Sequence, residues 1–146
     1  MRLVKFRPAL LFLASTSAVF AQETSLHVEK PWVFAVPPGA ADTAAFMTLV
    51  NTGKVAVRVT GGKTEAAARV APMATTKTEG RMGMKDVAFI EVPAGGRVTL
   101  APGGDHLMIY GLRAPLTPGQ NVPLVLTLEP GGTLMVDAVV SRRQPQ

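Results

Sequence analysis

Twelve prolines and fourteen glycines divide this 146-residue chain into apolar stretches too short to be helices of ordinary length. Pro37-Pro38-Gly39, Asn51-Thr52-Gly53, Pro93-Ala94-Gly95-Gly96, Pro102-Gly103-Gly104-Asp105 and Pro130-Gly131-Gly132 are turn signals. Proline presets φ, and glycine supplies the positive φ that tight turns need. No long run between them keeps a 3.6-residue apolar period, so the segments read as strands. The expected strands are Ser25–Val28, Trp32–Val36, Ala44–Asn51, Val55–Gly61, Ala68–Met73, Arg81–Met84, Val87–Val92, Arg97–Leu100, His106–Tyr110, Val122–Leu128 and Thr133–Val140. Ala-rich Lys63–Ala68 is too short for a helix and is expected to be a turn or a strand approach. So many short strands in one domain imply an all-β fold, a Greek-key sandwich or closed barrel.

Alternation along the strands predicts burial. In Ala44–Asn51, Phe46, Thr48 and Val50 share one face and Met47 and Leu49 the other. Both faces are largely apolar, which places this strand centrally. Val122, Leu124, Leu126 and Leu128 form one dry face. Pro123 beside them has no N–H to give a ladder and belongs at an edge or a strand start. By the same argument Pro72 marks an edge or a strand end. Met47 and Met135 are expected to fill core space, for which the flexible thioether is suited.

The first residues have a different character. Arg2, Lys5 and Arg7 precede an apolar run from about Ala9 to Phe20, and Val19 and Ala21 occupy the −3 and −1 positions of a small-residue cleavage site. This is the pattern of a secretory signal peptide, residues 1–21, cut after Ala21. The run is shorter than the roughly 20 residues that cross a bilayer, so no stable membrane insertion is expected after cleavage. The 125 residues from 22 to 146 suffice for one hydrophobic core. They carry 12 basic and 10 acidic residues, a net charge of +2. The basic character of the whole chain therefore resides largely in the leader, and no basic block with interleaved aromatics remains to bind nucleic acid.

Export usually permits disulfides, yet the chain has no cysteine. Disulfides, thiolate metal sites and type 1 copper centres are excluded together. What remains for chemistry is methionine and histidine. His106 and Met108 are i and i+2 on an expected strand and so share a face. Taken alone, such a pair is more often a turn histidine beside a core methionine. Met82 and Met84 repeat the spacing in Arg81-Met82-Gly83-Met84, a polar segment expected to be an exposed hairpin. Met73 lies upstream. One imidazole and several thioethers are soft, neutral donors that favour Cu(I). Only the imidazole competes with protons for the metal. His27, the other histidine, has no second donor near it in sequence and reads as a solvated strand residue.

From Trp32 to Val140 the chain resembles the periplasmic copper chaperones called PCuAC. Their signature is His or Met, ten residues, Met, twenty-one residues, then His-x-Met. Here it is met by Met73, Met84, His106 and Met108, with supporting phrases at Pro37–Ala40, Asn51–Gly53, Pro93–Gly96, Pro102–Met108 and Gly111–Leu116. The resemblance implies a cupredoxin-like barrel and a metal site of Met73, Met84, His106 and Met108 holding one Cu(I) per chain. It also implies a monomer in the periplasm, with cargo passed to the copper-bearing subunit of cytochrome c oxidase or to another copper carrier. The chain departs from the family in three places. Met73 replaces the more usual His, Trp32-Val33-Phe34 replaces a frequent Trp-x-Arg, and the carboxy terminus SRRQPQ lacks the His- and Met-rich tail of some relatives. Spacing alone favours Met84 over Met82.

Three functions fit these residues: a Cu(I) carrier for oxidase assembly, a periplasmic copper buffer serving tolerance, or a β-sandwich interaction module without metal. An enzyme is not expected, since two histidines and no cysteine provide no clustered nucleophile, base and orienting acid.

Overall fold

The computed structural model describes residues 25–146, and the expected signal peptide lies outside them. Ten strands and no helix occur among the described residues: β1 Leu26–Phe34, β2 Asp42–Asn51, β3 Val57–Lys63, β4 Ala67–Thr78, β5 Arg81–Asp86, β6 Ile90–Val92, β7 Arg97–Leu100, β8 His106–Leu112, β9 Asn121–Glu129 and β10 Gly132–Ser141. Seven of them close a barrel in the order β4-β8-β2-β1-β10-β9-β3, with β3 returning to β4 through the Gly62–Val70 pair. Every pairing is antiparallel except β1 with β10. β5, β6 and β7 flank the barrel along β4, β3 and β2.

Alternation determines what fills the barrel. Val122, Leu124, Leu126 and Leu128 of β9 point inward, as their spacing predicts, and meet Val33, Met47, Leu49, Val59, Leu107 and Ile109 from the other strands. Each such side chain contributes roughly 1.5–3 kcal/mol on leaving water, and together they drive closure. β2 is central, with β1 on one side and β8 and β7 on the other.

Three expectations need correction. Two expected strands are one, because β1 runs through Lys30-Pro31 by way of a bulge between Glu29 and Trp32 with Lys30 at φ 46°. A proline at a bulge removes no ladder bond. Pro72 is buried in the middle of β4 and not at its end. Its carbonyl accepts from Val87 N–H at 3.4 Å, so its backbone polar groups face away from β8. On that side β4 changes partner from β3, at Val70, to β5, at Met73, and no donor is needed between them. Met135 is 76 % exposed and not core, since Val136, Ala138 and Val140 are the inward set of β10.

Asn51 ends β2 and is 1 % exposed. Its amide donates to the carbonyls of Val55 (2.8 Å) and Val92 (3.1 Å), while its Oδ1 accepts from Ser25 Oγ and Gly53 N–H, both at 3.0 Å. One side chain thus ties β1, β2 and β6 together. Replacing Asn51 with Leu leaves several of these buried groups unpaired, and we expect a loss of about 2 kcal/mol or more in chemical denaturation.

Candidate metal centre

His106 is the first residue of β8 and follows the turn formed by Ala101–Asp105. Gly104 N–H donates to Ala101 O at 2.9 Å, Ala101 N–H donates to Asp105 O at 3.2 Å, and Gly103 stands at φ 83°, where a Cβ would be strained. The turn is anchored to β4 by Thr75. Its N–H donates to Asp105 Oδ1 (3.1 Å), and its hydroxyl donates to Gly104 O (2.7 Å).

The same Gly104 carbonyl accepts from His106 Nδ1 at 3.0 Å. A carbonyl can only accept, so Nδ1 is the donor, and in the neutral ring Nε2 keeps its lone pair, the arrangement that orients metal-binding imidazoles. The ring is only 4 % exposed. No buried side-chain nitrogen or oxygen lacks a partner among the described residues. Nε2 makes no hydrogen bond, so it is the polar atom of the ring that faces open space.

That space is a cavity of about 300 Å³ on the outside of the barrel, walled by Met84, His106 and Met108 together with Phe34, Phe46 and the Pro102-Gly103 turn. Strand register brings them there. Met84 is opposite Thr75, Met73 opposite His106, and Met108 opposite Ala71 on one side and Ala44 on the other. Cross-strand partners share a face, and Val70, Pro72, Leu107 and Ala45 take the inward face. Met73, half-buried, is therefore on the outer face directly across from His106, although it does not line the cavity. Met82 lies on the same face one rung farther out, opposite Lys77, and also outside the cavity. Two larger hollows, of about 660 and 690 Å³, contain neither imidazole nor thioether.

Sequence reasoning missed the support behind the ring. Trp32 and Phe46 are buried but stand apart from the barrel's core, on the outer face. Their centroids are 4.7 Å apart, and Phe46 is 6.1 Å from the His106 ring. The available signal was Phe46 itself, on the opposite face of β2 from Met47 and Leu49. The role of Thr75 had no such signal, since it depends on a contact spanning 29 residues.

Among the described residues no three of His, Cys, Asp and Glu come together. A zinc- or magnesium-type donor set is therefore missing from them, and the chemistry of this cavity is that of thioethers and one imidazole.

A family model described as "Putative lipoprotein LpqE-like" matches residues 26–140, nearly the whole barrel. The chain belongs to the LpqE-like family. A curated relative, "Putative lipoprotein Lxx21020" of Leifsonia xyli subsp. xyli, is 36 % identical over 121 residues, which is 82 % of this chain and 72 % of the relative. Among solved structures, the solution structure of CuI-DR1885 from Deinococcus radiodurans superposes with a TM-score of 0.67 at 37 % identity, covering 89 % of this LpqE-like chain and 86 % of that one. The copper-bound PCuAC domain from PmoF2 gives a TM-score of 0.69 at 24 % identity, covering 82 % and 94 %, a likeness of fold. The PCuAC resemblance and the cupredoxin-like all-β barrel read from the sequence are thereby borne out for this LpqE-like protein.

Proposed function

We propose that this LpqE-like protein binds one Cu(I) per chain through Met84, His106 and Met108, with Met73 completing the set, and carries it to a copper-accepting partner. One observation carries the reading: three donors scattered along the sequence wall a single cavity, and the imidazole ties down Nδ1 and leaves Nε2 without a hydrogen-bond partner. The copper-bound state named for the similar chain from Deinococcus radiodurans supports it.

Neutral donors leave the ion's charge uncompensated, and a cavity open to solvent leaves it reachable. Both favour exchange by stepwise ligand substitution over permanent burial, which suits a carrier and not a catalyst. The partner we favour is the copper-bearing subunit of cytochrome c oxidase, reached in the periplasm by a monomer freed of residues 1–21.

The test is a Cu(I) titration of the mature protein against a chromophoric chelator. The expected result is competition for one equivalent of Cu(I) per chain. Absence of competition would leave the metal-free interaction module as the better account.

A further inference from the structure

We propose that Met82 is the transfer ligand of the site, the thioether through which Cu(I) enters and leaves. This rests on the reading that the cavity holds Cu(I). β5 is exposed along its whole length, and β4 is its only partner strand among the described residues. On this strand Met82 and Met84 are 64 % and 67 % exposed. Large apolar side chains so placed stabilise no core, and two on one face of a strand invite a reason in binding.

Register arranges the donors in a line. His106 and Met73 face each other on one rung of the outer surface, Met84 is opposite Thr75 on the next position along β4, and Met82 is opposite Lys77 beyond that. The line runs from a buried imidazole to the tip of the β4–β5 hairpin, where Glu79 and Gly80, both at positive φ, make the turn. Met82 and Met84 are about 6.7 Å apart along the strand, and two flexible thioethers on one face at that spacing can hold one ion between them.

The partners across the ladder distinguish a resting site from a passing one. Met84 stands across the ladder from the neutral Thr75, whereas Met82 stands across from Lys77. A cation beside Met82 disfavours lasting occupancy by Cu(I), and a carboxylate on an incoming partner would relieve it. Transfer then proceeds by exchange of neutral donors. The bonds from copper to His106 Nε2, Met108 and Met73 break in turn as a bond to the Met82 sulfur forms and donors of the acceptor bind, with the Met84 bond retained. The metal stays Cu(I), and neither electron nor proton moves. A further donor of the acceptor, a sulfur or a chelator nitrogen, next displaces Met84, and last Met82.

Stopped-flow transfer of Cu(I) from the loaded mature protein to bathocuproine disulfonate, alongside equilibrium competition with the same chelator, tests this. For Met82→Leu, whose exposed position leaves folding undisturbed, the expected result is an affinity within twofold of wild type and a transfer rate at least fivefold lower. An unchanged rate would overturn the proposal, and so would a tenfold loss of affinity, which would make Met82 a resident ligand. Wild-type protein that binds no Cu(I) would instead overturn the copper reading of the cavity, and the relay with it.

Discussion

Replacing His106 with alanine is expected to weaken Cu(I) binding more than tenfold, about 1.4 kcal/mol or more, and to leave the barrel folded. The ring supplies the only nitrogen donor in the cavity wall, and its orientation is set by the Nδ1 bond to Gly104 O. The fold survives because that carbonyl keeps a second donor, the Thr75 hydroxyl at 2.7 Å, so the Ala101–Asp105 turn stays anchored to β4. A further signature separates lost coordination from general damage. Wild-type affinity is expected to fall on acidification, since protons compete with a metal for any imidazole donor whereas thioethers never ionise. The His106→Ala variant should therefore bind weakly with little dependence on pH. Met84→Leu should also lose at least tenfold in affinity while keeping the wild-type pH dependence. Chelator competition at several pH values, with circular dichroism of each variant, checks both expectations.

Phe46→Ala is expected to cost about 3 kcal/mol or more of stability, in the range of large-to-small changes at buried aromatics, and to weaken Cu(I) binding as well. Phe46 is buried between Trp32 and His106 on the outer face. Its removal opens a void beneath the imidazole and deprives Trp32 of the nearer of its two aromatic neighbours. Even a small reorientation of a metal-binding ring is costly when its supporting contacts are lost. Urea denaturation of the apo and Cu(I)-loaded variant separates the two effects. The apo protein should be destabilised, and the extra stability conferred by Cu(I) should be smaller than in wild type. Phe46→Leu, which keeps much of the volume, should recover most of the stability. A variant as stable as wild type in the apo state would show that the aromatic layer is not what holds the ring.

What could be read in advance depended on range along the chain. Turn chemistry and period-2 patterning are local, so the strands, the inward face of β9 and the central place of β2 were legible. The ligand spacing was legible because it repeats a known pattern. Met135 shows the limit of local reading. In Leu134-Met135-Val136 three successive residues are apolar, and only the pairing with β9 determines that Val136 faces in. Pro72 failed for a related reason, since a proline can sit inside a strand wherever its partners change, and that depends on where β3 ends and β5 begins. The aromatic layer and the Thr75 anchor arise from contacts between distant segments, which no window of sequence contains. Spacing groups Met73 with the other donors, and the barrel places it opposite His106 but outside the cavity wall.

The central claim is that the outer-face cavity is a soft-donor copper site. X-ray absorption at the copper edge of the Cu(I)-loaded mature protein tests it most directly. A first shell of sulfur scatterers with a single nitrogen is the predicted result, and a shell of nitrogen or oxygen alone would contradict it.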